Sequence, residues 1–261
     1  TALTHSNIQV IILFQSCGLR ITWGGSKVPN INRSIRGLIM NSILDQTPSL
    51  QSDLAPRDGN SYVKGPEVPP LAYTSISKLL RDAAKRYGSR EALIFPNNRL
   101  NYDDFDQTVD ALAAGFLALG LDKGDRLGIW SPNRLEWVLT QFATARIGVL
   151  LVNINPAYRL SELEYSLNTV GCKAIVLAQS LKSSNYLQMI RTLAPEIDDC
   201  RQGKLHSIKL PQLRHVIVMG NVDGFDGLWS FDDILTLGGP IHRKQLSEIE
   251  QKLKPDDAIN I

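Results

Sequence analysis

RLGIWSPNRLEWVLTQFATARIGVLLVNI, residues 126–154, reads as strand, turn, helix, stop and strand. Arg126 to Trp130 reads as a strand, and Ser131, Pro132 and Asn133 turn the chain. Leu135, Val138, Leu139, Phe142 and Ile147 then recur at helical spacing and Gly148 closes the helix. Val149 to Ile154 is continuously apolar, the pattern of a strand buried on both faces. A strand, a crossover helix and a second strand make a parallel pair joined by a right-handed connection.

The same alternation continues downstream. Ser161 and Glu164 form a capping box for a helix whose Leu163, Leu167 and Val170 face inward, and Gly171 supplies a left-handed stop. Ala174 to Ala178 is a third strand, a helix covers Tyr186 to Leu193, and His215 to Met219 is a fourth strand. Three strand-helix-strand units predict an α/β fold, a parallel sheet flanked by helices. Upstream, Thr74 or Ser75 caps a helix carrying Ile76, Leu79, Leu80, Ala83 and Tyr87 on one face, and Gly88 ends it. Ala92 to Phe95 and Arg99 to Tyr102 pair as a hairpin around Pro96, Asn97 and Asn98. Asp103 and Asp104 are expected to cap the next helix, whose stripe is Phe105, Val109, Leu112, Phe116 and Leu119 before Gly120.

The chain divides into three parts: a leader over 1–44, a linker over 45–70 and a domain over 71–261. The leader has no Asp or Glu before Asp45, is basic at Arg20, Lys27, Arg33 and Arg36, and repeats serine. That is the composition of a mitochondrial transit peptide, with an unstructured leader as the alternative. No basic cluster precedes Ile8 to Phe14 and no small-residue cleavage site follows it, which argues against a secretory signal. Pro48, Pro56, Gly59, Gly65, Pro66, Pro69 and Pro70 mark the linker. A net charge of +2 gives no field to gather nucleic acid. Cys17, Cys172 and Cys200 form no Cys-x-x-Cys pair, so neither a disulfide framework nor a zinc site is indicated. The longest apolar run is too short to span a bilayer, which takes about 20 residues.

Few of the residues stand in a pattern that chemistry requires. There is no Gly-x-x-x-x-Gly-Lys-Ser/Thr loop and no Gly-x-Gly-x-x-Gly turn, so two common phosphate cradles are missing. Gly120, Gly124 and Gly128 read as turn residues. Gly220, Gly224 and Gly227 with Asp223 and Asp226 lack calcium-loop spacing and read as a surface loop. His5, His206, His215 and His242 contain no ligand pair; His215 heads an apolar strand and reads as a satisfied structural histidine, so no metal is assigned. Ser131 has no nucleophile-elbow setting and shapes its turn. Cys172, after a helix C-terminus, reads as a structural thiol. Lys244, Lys252 and Lys254, interleaved with Glu248 and Glu250, read as a solvated helix face. No catalytic, cofactor-binding or metal residue is named.

A series of short segments nonetheless resembles one family. Leu100-Asn101-Tyr102-Asp103-Asp104-Phe105 resembles the Leu-Thr-Tyr-x-Glu-Leu segment of adenylate-forming enzymes. Lys123-Gly124-Asp125-Arg126 and Ser131-Pro132-Asn133-x-x-Glu136-Trp137 follow in the family's order. Ala145 to Val149, Val152 to Tyr158 with its Asn-Pro turn, and Glu162 to Tyr165 continue it. The likeness runs from about Tyr73 to Ile261 and points to the AMP-forming fatty acyl-CoA synthetases, within them to mitochondrial medium-chain fatty acid:CoA ligases.

That resemblance implies the N-terminal portion of the AMP-binding enzyme fold, incomplete at its C-terminal end. It also implies a whole enzyme that uses a fatty acid, ATP, Mg2+ and CoA in the mitochondrial matrix, with the cytoplasm as the alternative. In the family, Asp257 to Ile261 would form a strand leading into the loop that holds ATP phosphates, and the catalytic lysine lies further on. These 261 residues alone are therefore expected to be inactive. Two other readings stand beside this one: a self-standing Rossmann-like binding module, and a truncated isoform acting as a non-enzymatic interaction or regulatory module.

Overall fold

Apolar strands that alternate with helices can bury both faces of a sheet only by winding the helices to either side. The computed structural model describes residues 72–261 together with the backbone of two strands, Val10–Gln15 (β1) and Gly18–Trp23 (β2). The leader expected over 1–44 and the linker over 45–70 otherwise lie outside the described residues.

The first helix, Ile76–Tyr87 (α1), is capped by the Ser75 hydroxyl, which accepts from the Lys78 amide at 3.2 Å. Glu91–Ile94 (β3) and Arg99–Asn101 (β4) form the expected hairpin, closed by Phe95 N donating to Asn98 O at 2.8 Å. The backbone of β2 joins β3 in parallel and β1 runs antiparallel beside it. The next helix, Tyr102–Ala118 (α2), is capped differently from the sequence reading. Asn101 Oδ1 accepts from Asp104 N at 2.7 Å, while Asp103 and Asp104 lie within the first turn, where their charge meets the helix dipole's positive end.

From there Arg126–Trp130 (β5), Leu135–Ile147 (α3), Leu150–Asn153 (β6), Leu160–Val170 (α4) and Ala174–Ala178 (β7) follow in order. A small hairpin, Ser180–Leu181 (β8) with Ser184–Asn185 (β9), leads into Tyr186–Leu193 (α5). His215–Met219 (β10), Trp229–Ser230 (β11), Phe231–Leu237 (α6) and Pro240–Glu250 (α7) complete the elements. The main sheet is parallel, in the order β11-β10-β7-β5-β6. Two details depart from expectation. β6 is not buried along its length: Leu150 is half-buried and Asn153 exposed, on the side of the sheet where, among the described residues, 259–261 bond to it. The capping box expected of Ser161 with Glu164 does not form: the N-cap of α4 is Arg159, whose side chain has no acceptor, and only a Glu162 arm is present. The Asn155 turn ends at Tyr158, and the Glu162 carboxylate reaches back to Arg159 N at 3.1 Å.

The apolar core lies between this sheet and its helices. Within the helical layer one side chain breaks the pattern: Arg146 on α3 is fully buried. Its guanidinium donates to Asp106 Oδ1 at 2.6 Å, Asp110 Oδ1 at 2.7 Å, the Asp106 carbonyl at 3.1 Å and Ser77 Oγ at 3.1 Å. Arg81 on α1 closes the cluster with bonds to Asp106 and Asp110 at 2.7 Å and to Glu250 Oε2 at 2.9 Å. Ser77 in turn donates to Glu250 Oε1. Burial works against the Arg81 charge, but Asp110 and Glu250 more than offset it and hold the guanidinium more firmly protonated than usual. Glu250 thus turns inward and does not belong to the solvated face expected with Lys244 and Glu248; Lys252 and Lys254 lie beyond the end of α7.

Arg146→Met leaves Asp106 and Asp110 without their buried partner. It is expected to destabilise the fold by about 3–5 kcal/mol, against about 1 kcal/mol or less for Arg99→Met at the exposed Glu91 pair, both read from urea midpoints. Gly115 on α2 meets α6 backbone to backbone, so a Cβ there would stand 2.0 Å from Ile234 O. Gly115→Ala is expected to lower the melting temperature even though alanine favours a helix by about 1 kcal/mol over glycine.

Candidate functional site

Numbered in chain order, the five strands lie 2-1-3-4-5, so the connections leave β5 in opposite directions and open a crevice at the carboxyl ends of β5 and β7. Four segments meet at that edge: Trp130 to Asn133 after β5, Ile154 to Tyr158 after β6, Gln179 after β7 and Gly220 to Asp223 after β10.

Trp130 ends β5 fully buried and stacks on Tyr186 of α5, ring centroids 3.8 Å apart and planes within 16°. Each ring spends its polar handle on the next loop. Trp130 Nε1 donates to Asn155 O at 3.1 Å and Tyr186 Oη donates to Pro156 O. Burial pushes the Tyr186 phenol up to about 12, against the pull of Arg159, so it stays a donor at neutral pH. The loop holds itself as well: Asn155 Oδ1 accepts from Ala157 N at 2.9 Å and Asn155 O from Tyr158 N at 3.0 Å. On the other side Gln179 Nε2 donates to Asn221 O at 2.7 Å and its carbonyl accepts from Tyr186 N at 3.0 Å. Ser131 is buried and donates to Pro132 O at 2.7 Å, the turn-shaping part expected of it.

This edge is a braced frame. The polar groups of Trp130, Tyr186, Asn155 and Ser131 are committed within it, and among them no nucleophile meets a base. Among the described residues no group of three His, Cys, Asp or Glu is placed to hold a metal ion. The residues weighed from sequence lie elsewhere. Cys172 is buried and burial pushes its thiol up to about 12, consistent with a structural role. His206 is exposed, His242 Nδ1 accepts from Gly239 N at 3.2 Å as a helix cap, and His5 and Cys17 lie outside the described residues. Asp223 N bonds Asn221 Oδ1 at 2.7 Å in the glycine loop, and Gly227 packs so tightly that a Cβ would stand 2.2 Å from Ile197 O.

His215 sits at the opposite, amino end of the sheet and is not the fully satisfied histidine expected: Nδ1 is buried without a partner. Desolvation, with Lys173 and Arg214 nearby, lowers it to about 4, while a bond to the Leu119 backbone opposes. The Trp130 and Tyr186 pair was missed in the sequence, where each ring reads only as an apolar residue of its own element.

The family model for AMP-binding enzymes matches residues 80–260. The zebrafish (Danio rerio) medium-chain acyl-CoA ligase ACSF2, mitochondrial, is 40% identical over 220 residues, covering 84% of this chain and 35% of that protein. The human (Homo sapiens) protein of the same name is 40% identical over 210 residues, covering 79% and 34%. The chain therefore spans about a third of the length of these relatives. The crystal structure of the anthranilate CoA ligase AuaEII with anthranoyl-AMP superposes with a TM-score of 0.54 at 20% identity, over 66% of this chain and 29% of that one, a likeness of fold.

Since the His215 pKa is lower folded than unfolded, the stability it contributes is present above about 6.5 and is lost as pH falls toward about 4. His215→Phe is expected to flatten the stability of the chain between pH 7 and 5 relative to the unsubstituted protein, the difference between the two curves reaching the order of 2–3 kcal/mol near pH 4. Parallel curves would show that the group does not titrate this way.

Proposed function

The chain belongs to the AMP-binding enzyme family, and from that premise we propose that it is the N-terminal part of an ATP-dependent fatty acid:CoA ligase of medium-chain preference. The observation that carries the reading is the 40% identity to medium-chain acyl-CoA ligases over 220 residues of this chain. In such a reaction a carboxylate oxygen of the fatty acid attacks the α-phosphorus of ATP and pyrophosphate leaves. The CoA thiol then attacks the acyl carbon and AMP leaves. Positioning and charge neutralisation carry this chemistry. The braced carboxyl edge around Trp130, Tyr186 and Asn155 supports the reading as scaffold: it frames one wall of a substrate cleft and supplies no reacting group. The magnesium ion such an enzyme uses is held chiefly by the ATP phosphates with one or two carboxylates, and no residue of this chain is assigned to it. The relatives' mitochondrial designation and the acid-free composition of residues 1–44 support a mitochondrial address.

The reading is tested by ATP-pyrophosphate exchange. A family-length protein that includes these residues is expected to exchange in an octanoate-dependent way and then to form octanoyl-CoA; exchange that depends on no fatty acid would remove the assignment. The 261 residues alone, without phosphate loop or catalytic lysine, are expected to give none.

A further inference from the structure

Residues 155–158, the turn between β6 and α4, make few bonds of their own to the rest of the sheet. Pro156 has no N–H to give, and the Ala157 and Tyr158 amides are spent inside the turn, on Asn155 Oδ1 at 2.9 Å and Asn155 O at 3.0 Å. Among the described residues, the hydrogen bonds that leave the turn go to two buried rings: Trp130 Nε1 donates to Asn155 O at 3.1 Å and Tyr186 Oη donates to Pro156 O. Trp130 ends β5, the strand beside β6. Tyr186 comes from beyond β7, as the first residue of α5, and is itself fixed from behind. Its amide and that of Leu187 both donate to Gln179 O, at 3.0 and 3.3 Å, and Gln179 Nε2 donates to Asn221 O at 2.7 Å. Gln179 lies close against the Gly220 backbone: a Cβ there would stand 3.1 Å from Gln179 Nε2, at a φ of +123° that side chains rarely adopt.

We propose that Tyr186 is a positioning residue: its hydroxyl sets where residues 155–158 stand at the crevice, working from an anchor that the loop after β10 shares. The proposal rests on the reading of the chain as part of a ligase that takes a substrate at this edge. Tyr186 touches no reacting atom and acts through the Pro156 carbonyl. A path of hydrogen bonds runs across the carboxyl end of the sheet, from Pro156 through Tyr186 and Gln179 to Asn221, so the loops after β6 and β10 take their spacing from one residue. The ring stack alone does not supply this, because stacking on Trp130 fixes the plane of the phenol and not the position of a carbonyl at its tip.

Tyr186→Phe keeps the ring and removes only the hydroxyl, and is compared with the unsubstituted sequence in a family-length protein that includes these residues. Amide hydrogen exchange, resolved by residue, is expected to quicken about fivefold or more at Ala157 and Tyr158. Ile154, whose N donates to Ile129 O at 3.0 Å on the β5 side, is expected to stay unchanged. In steady-state kinetics with octanoate, ATP and CoA, the KM of at least one of them is expected to rise about fivefold. A merely structural tyrosine would lower the active fraction, which reduces the apparent kcat and moves no KM. Unchanged exchange at Ala157 and Tyr158, an equal rise at Ile154, or unchanged KM values for all of these substrates overturns the proposal. If the protein shows no octanoate-dependent activity, the ligase reading has failed, and the exchange pattern alone decides whether Tyr186 holds the turn.

Discussion

A guanidinium taken wholly out of water needs its charge met in place, and Arg146 sets that requirement at the centre of the helical layer. Meeting it takes Ser77 from α1, Asp106 and Asp110 from α2 and Glu250 from α7, with Arg81 to balance the surplus of carboxylates. Such a cluster adds little net stability compared with a well-packed apolar core, but it is exacting about orientation. Four helices must present their polar groups to one point, and α3, which carries Arg146, is the crossover between β5 and β6. The registry of the helical layer is thus tied to the two strands that begin the sheet.

The consequence for function is a division of labour. The carboxyl edge where the strand order reverses is the place where an open parallel sheet takes a ligand. Here that edge is built from a buried ring stack whose polar ends bond the loop carbonyls of Asn155 and Pro156. Groups committed in this way hold position and are not free to react. This edge lies within residues 80–260, the span that matches the AMP-binding enzyme family.

Much of this fold was legible in the sequence. β5, α3, β7, α5 and β10 stand where periodicity placed them, because each has an unbroken apolar period and a strong stop. Two-residue β11 has no period to read. The caps of α2 and α4 lie two or three residues before the expected ones because several polar side chains in succession could each serve, and only the backbone path selects Asn101 and Arg159. The charge cluster was illegible for another reason. Its partners stand 25 to 173 residues apart, and an arginine between Ala145 and Ile147 looks like any helical cation until α2 and α7 are seen against it. The adenylate-forming resemblance located the family, while the braced edge required coordinates to see, since Trp130 and Tyr186 meet only through the packing of α5 under the β6 loop.

Strand 259–261 also has a mechanical character. Its three bonds to β6 lie side by side along a parallel pair, so tension along the strand direction loads them together in shear, whereas a sideways pull breaks them one at a time. The edge of the sheet therefore resists stretching from Ile261 more than it resists peeling.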